Sequence, residues 1–146
     1  EVAIRARSPI LVVPRAERSF DVNRPATVAW DGSPEASRAL RGALPLLARS
    51  SSVTLVTITG ETGKDIDLPP TEGAEYLSRH GVACELVEIA AGSKSAAQAL
   101  ADAAAARHAE YLVMGAYGHW RLTEMIFGGA TREFLAEPPL PILVCH

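Results

Sequence analysis

The sequence predicts an α/β domain: an open, five-stranded parallel sheet with helices on both faces. Two observations lead to this prediction. Short apolar segments rich in β-branched residues alternate with longer segments of helical periodicity, and a pattern of glycines directly follows one of the apolar segments. The chain has 146 residues, 48% hydrophobic and 21% charged, which suits a single core. Strands that alternate with helices are joined by right-handed crossovers, which makes the sheet parallel.

The first half of the chain contains two predicted strands, with a helix between them. Residues 27–30 are a short apolar strand, and residues 53–59 are a β-branched one. Ser33 is a suitable N-cap for the helix, because Pro34 then takes the first helical position and Glu35 lies near the positive end of the helix dipole. Its apolar positions recur at helical spacing, at Leu40, Leu44 and Leu47.

The second half continues the alternation. A helix is predicted over residues 71–80, and Gly81 suits the position just after its end. An alanine-rich helix is predicted over residues 95–108, where small side chains let it lie close to the sheet. The other predicted elements are strands at 82–89, 110–115 and 141–145 and a short helix at 131–137.

The glycine pattern is the strongest functional signal in the sequence. Gly115 ends an apolar strand, Gly118 follows after two residues, and Gly128 follows after nine more. Glycines between a strand and a helix expose backbone N–H groups and a helix N-terminus, which bind anions, although three glycines can also simply form turns. Ligands of such sheets bind beyond the carboxyl ends of the strands, so Asp31, after the first strand, is expected to face Gly115.

The segment 113–131 resembles the C-terminal signature of the universal stress protein family. Residues 26–33 resemble its first strand and Asp-containing turn, and residues 141–145 its last strand, so that the resemblance covers roughly residues 25–146. It implies a Rossmann-like sheet of order 3-2-1-4-5, as in adenine nucleotide alpha hydrolases. It further implies a stress-response module that binds ATP or another adenine nucleotide, with Mg²⁺ only if the ligand is a triphosphate.

The resemblance also implies which residues bind the nucleotide. The adenine would contact Ala29, Asp31 and Ile58. Where the family has a serine or threonine after the third glycine, this chain has Gly129, and Thr131 is a candidate to supply the missing hydroxyl. The residues expected around the ribose and phosphates are Met114, Gly115, Gly118, Gly128, Gly129, Ala130 and Thr131.

Several of these residues have a purely structural alternative. Asp31 could cap a helix without any ligand, and Ile58 could belong to the core. In the glycine loop, Arg121 is the better partner for an anion because its guanidinium is always charged and fork-shaped. His119 could contact a phosphate or simply face solvent.

The remaining features favour a binding or regulatory protein over an enzyme. No nucleophile is paired with a base in the sequence, and the histidines lack metal-ligand spacing, so at most slow ATP hydrolysis is expected. A net charge of −3 without a basic stripe argues against nucleic acid, and no apolar run approaches the roughly 20 residues of a membrane span. Two distant cysteines predict a reduced, cytoplasmic protein. The alternative function is a stress-response module that has lost its ligand and acts through dimerisation.

An internal repeat predicts how the protein assembles. Residues 1–14 align with residues 133–146, and the sequence Pro-Ile-Leu-Val occurs in both segments, at 9–12 and 141–144. We therefore predict a remnant of a preceding domain at 1–14, a linker at 15–25 and a domain at 26–146, as the C-terminal part of a tandem protein. An edge strand invites pairing, so a homodimer or an intramolecular pseudo-dimer is expected. It would form through Ile142, Leu143, Val144 and Cys145 and the segment Ile10, Leu11, Val12 and Val13.

Overall fold

The computed structural model describes residues 8–17, 19–59, 71–115 and 136–145. Within these ranges six strands and three helices follow one another along the chain. The strands are β1 (Ile10–Val12), β2 (Ala26–Ala29), β3 (Val53–Thr59), β4 (Glu85–Ala90), β5 (Tyr111–Gly115) and β6 (Ile142–Cys145). The helices are α1 (Pro34–Leu47), α2 (Glu72–Arg79) and α3 (Ala96–Ala106). The predicted helix at 131–137 falls mostly outside the described residues.

The six strands form one sheet in the order β1-β6-β5-β2-β3-β4. The strands from β2 to β6 are parallel to one another, which confirms the α/β class and the predicted order of the five-stranded part. The prediction of five strands was wrong, because β1 adds a sixth that runs antiparallel to β6. The backbone N–H and C=O groups on the outer side of β6 would otherwise be unpaired, and β1 bonds to this edge.

Helices cover both faces of the sheet, as predicted. On one face, α1 and α2 bury a cluster around Leu40, Leu47 and Leu77. On the other face, α3 packs against a second cluster, which includes Val56 and Ile142. The small side chains on the inner side of α3 allow it to approach the sheet closely. Each large aliphatic side chain buried in these clusters contributes about 1.5–3 kcal/mol to folding.

Local signals set the ends of the helices where the sequence predicted them. The Ser33 hydroxyl caps α1 by accepting a hydrogen bond from the Ala36 N–H (3.1 Å), and Ser95 caps α3 through the Gln98 N–H (3.1 Å). Gly81 follows α2 with a φ of 73°, in the left-handed region that glycine favours. The predicted strand at 82–89 begins later, at Glu85, because the Val82 N–H is bonded back to Leu77 in the turn that ends α2.

Candidate functional site

The candidate site lies where β2 and β5 end side by side. These two parallel strands are neighbours in the sheet, with Val28 opposite Val113, and α1 begins shortly after β2. The first turn of α1 packs directly on the end of β5: a Cβ atom at Gly115 would lie 2.8 Å from the backbone carbonyl carbon of Glu35. Only glycine fits this position, so the glycine pattern starts at a close contact between a helix N-terminus and a strand end.

Asp31 lies at this junction and is partly buried. Its Oδ1 accepts a hydrogen bond from the Ser33 N–H (2.9 Å) across a turn in which Gly32 has a φ of 74°. Since Ser33 caps the helix, Asp31 stabilises the turn before α1 and does not cap the helix itself. The second carboxylate oxygen, Oδ2, accepts no hydrogen bond from any residue in the described ranges, so Asp31 retains an acceptor for a ligand.

Glu35 is a residue of this junction whose position the sequence did not reveal. Its Oε2 is buried and has no hydrogen-bond partner within the described part of the chain. A buried acceptor without a donor is costly, by about 1–3 kcal/mol, and a hydroxyl or amino group of a ligand would satisfy it. The sequence indicated only that Glu35 lies near the helix dipole, since its contact with Gly115 depends on how closely α1 approaches β5.

Three of the residues expected to contact adenine or ribose line the opposite face of the sheet. Ala29, Ile58 and Met114 are buried in the cluster beneath α3, each at or near the carboxyl end of its strand. Their burial matches the alternative in which Ile58 is a core residue, and their contacts with adenine or ribose stay predictions. Thr57 fixes this end of the sheet, because its hydroxyl donates to the Trp30 carbonyl oxygen (2.7 Å).

The predicted phosphate-binding residues lie outside the described part of the chain, and their roles stay predictions. They are Gly118, His119, Arg121, Gly128, Gly129, Ala130 and Thr131. Among the residues that are described, no group of three or more His, Cys, Asp or Glu could hold a metal ion. None of the described helices is long and apolar enough to cross a membrane.

Comparison with solved structures finds the same fold in several universal stress proteins. One from Burkholderia pseudomallei is 22% identical with a TM-score of 0.63, and the match covers 86% of this chain and 98% of that one. A universal stress protein crystallised in complex with cAMP is 16% identical with a TM-score of 0.61, covering 86% and 99% of the two chains. At these identities the likeness shows the fold alone.

A third structure is matched over a longer part of this chain. The universal stress protein from Archaeoglobus fulgidus DSM 4304 is 20% identical with a TM-score of 0.67, and the match covers 96% of this chain but 50% of that protein. No curated protein sequence matches this chain. The family model of the universal stress protein family matches residues 23–146, and the chain therefore belongs to the universal stress protein family.

Proposed function

We propose that this chain is a stress-response regulatory module that binds an adenine nucleotide in the crevice between the ends of β2 and β5. The observation that carries the proposal is the junction itself, where Gly115 has no room for a side chain against α1 and Asp31 has a carboxylate oxygen to which no residue of the described ranges donates a hydrogen bond. A family member has been crystallised with cAMP, which supports the same ligand class. The absence of a paired nucleophile and base from the sequence favours binding over catalysis in a cytoplasmic regulator.

The charges at the crevice favour a ligand with few phosphates. Asp31 and Glu35 are acidic, and neither forms an ion pair within the described ranges. A triphosphate brings more negative charge to these carboxylates than a monophosphate, and Gly129 lacks the hydroxyl that the family places after its third glycine. We therefore infer that AMP or cAMP binds more tightly than ATP. The backbone N–H groups of the glycine loop and Arg121 would hold the phosphate.

Calorimetric titration of the purified chain with AMP, cAMP, ADP and ATP tests this proposal. Asp31→Asn should weaken binding about tenfold or more, the value of one charge-assisted hydrogen bond, because the amide can still accept the hydrogen bond from the Ser33 N–H but loses the charge. Asp21→Asn is the matched control, since Asp21 also accepts a bond from a backbone N–H two residues on, in a turn at the amino end of the sheet. The proposal fails if no adenylate gives heat at millimolar concentration.

A second candidate function is a ligand-free interaction module, and the pairing of β1 with β6 favours it. This pairing covers a strand edge, which is how a domain controls association with other sheets. The calorimetric titration separates the two candidates. Absence of binding, together with a change in molecular mass when β1 is disrupted, would support the interaction module alone.

A further inference from the structure

A cavity lies between α1 and α2, on the face of the sheet that these two helices cover. Its volume is about 180 Å³, compared with about 150 Å³ for an engineered protein cavity that binds benzene. It therefore has room for one ring or a short branched chain. Both helices connect parallel strands, so they run in the same direction, with their N-termini at the carboxyl ends of the strands.

This cavity is separate from the crevice that contains Asp31 and Gly115. The backbone of Glu35 packs against Gly115 at the end of β5, whereas Ser37, two residues later in α1, lines the cavity. Two residues are about 200° apart around a helix, so Glu35 and Ser37 lie on opposite sides of α1. A molecule in the cavity would therefore occupy a second site.

The inner wall of the cavity is apolar and largely aromatic. Trp30 and Leu40 line it, and each is only 2% exposed. Gly73 holds α2 against the indole ring, since an added Cβ atom would lie 2.8 Å from a ring carbon of Trp30. Tyr76 adds a half-buried ring, which is packed against His80 with 4.5 Å between the ring centroids. Such a wall suits a flat apolar group.

Two arginines lie on the rim at one end of the cavity. Arg41 and Arg79 both line it, and each is the eighth residue of its helix. Arg41 forms no ion pair within the described ranges. Arg79 pairs with Glu75 at 3.5 Å, but both side chains are exposed, and such a pair contributes little to stability. Glu72 is also on the rim, about 10 Å from Arg79 along the axis of α2.

We propose that this cavity binds a small carboxylic acid with one apolar ring or a short branched chain. The apolar part packs against Trp30 and Tyr76, and the carboxylate accepts hydrogen bonds from the guanidinium groups of Arg41 and Arg79, whose fork shape matches its two oxygens. One negative charge is enough to balance Arg41, whereas further charge would meet Glu72. This site does not depend on nucleotide binding.

NMR of the full chain labelled with ¹⁵N tests this site, with benzoate as the probe. The chain has two tryptophans, Trp30 and Trp120, so Trp120→Phe identifies the indole N–H signal of Trp30. Benzoate at millimolar concentration should shift this signal until the site is saturated. Benzamide has the ring without the charge, and acetate has the charge without the ring. Each should therefore bind about tenfold more weakly or less.

Variants of the cavity test which residues hold the carboxylate. Arg41→Gln and Arg79→Gln should each weaken benzoate binding about tenfold. Arg38→Gln is the matched control, because Arg38 is also exposed on α1 and also forms no ion pair within the described ranges, but it does not line the cavity. Ser37→Leu should block binding and leave the chain folded, because leucine fills the cavity and is a good helix former.

Four results would overturn the proposal. The first is the absence of a saturable shift of the Trp30 signal with benzoate. The second is equal binding of benzamide and benzoate, which would exclude recognition of the carboxylate. The third is unchanged binding to a folded Ser37→Leu chain, which would exclude the cavity. The fourth is displacement of benzoate by AMP, which would place benzoate in the crevice of the proposed nucleotide site.

Discussion

Three glycines of this fold, Gly115, Gly73 and Gly42, are in close contact with neighbouring residues and do not lie in turns. Gly115 meets the backbone of Glu35, and Gly73 meets the indole ring of Trp30, where an added Cβ would lie 2.8 Å from a ring carbon. Gly42 meets only side chains, at 3.0 and 3.1 Å. A backbone or a packed ring cannot move aside cheaply, whereas a side-chain end can. The cost of adding a methyl group should therefore differ among these glycines.

We expect Gly115→Ala to lower the free energy of unfolding by about 1–3 kcal/mol and to abolish nucleotide binding, because the new methyl group pushes α1 away from β5. Gly42→Ala is the comparison. Its methyl group meets side chains that can shift by a few tenths of an ångström, and alanine stabilises a helix interior by about 0.5–1 kcal/mol over glycine, so its net effect should be small. Urea denaturation measures both variants. Equal stability of the Gly115→Ala and unaltered chains would contradict the contact.

Burial of Cys145 gives the folded chain a predictable response to alkali. Burial raises the pKa of its thiol from 9.0 to about 11, so the folded chain keeps a proton that the unfolded chain loses between these values. The free energy of unfolding should therefore fall as pH rises from 9 to 11. Urea denaturation at several pH values should show a shallower fall for Cys145→Ala. The pKa of Tyr111 is also raised by burial, and this effect should persist in the variant as a decline at higher pH.

At the scale of elements, the first turn of α1 links stability to the site. Ser33 caps this helix, and its own N–H is bonded to Asp31. Ser95 caps α3 with the same geometry, and no described residue of the crevice takes part in that cap. The two serines therefore form a matched pair, because both cap a helix in the same way but only Ser33 lies in the candidate site.

We expect Ser33→Ala and Ser95→Ala each to reduce stability by about 0.5–2 kcal/mol, the usual value of an N-cap. Only Ser33→Ala should also weaken adenylate binding, because loss of its cap loosens the turn that holds Asp31 against β5. Chemical denaturation and calorimetry measure the two effects separately. An equal loss of affinity in both variants would show that general destabilisation, rather than the site, is responsible.

Elements whose ends are set by local chemistry were predictable from the sequence. β3 was predicted with its observed bounds because β-branched residues dominate it, and α1 begins at the predicted cap, Ser33. β4 was predicted to begin too early, because Val82 is apolar like a strand residue but belongs to the turn after α2. The repeat in the sequence pointed to residues 10–13 as a partner for the last strand, but the five-strand prediction did not count them as part of this sheet, since three residues pair only when an open edge is present.

At the scale of the whole molecule, the sequence predicted those features of the candidate site that follow from the order of strands in the sheet. The alternation of strands and helices brings the ends of β2 and β5 together, and hence Asp31 near Gly115. The buried Glu35 oxygen, to which no described residue donates a hydrogen bond, lies where a helix and a strand that are far apart in sequence meet. No local pattern in the sequence records the spacing between them. For the same reason, the repeat predicted the pairing segments but left open whether they pair within one chain or between two.

The opposition of Leu11 and Leu143 joins two segments that lie at opposite ends of the described chain. Closing so long a stretch of chain costs conformational entropy, so the pairing of β1 with β6 should form late in folding. Because β1 has only three residues and Leu11 is 36% exposed, β1 should also be the part of the sheet that opens most readily, which amide hydrogen exchange measures.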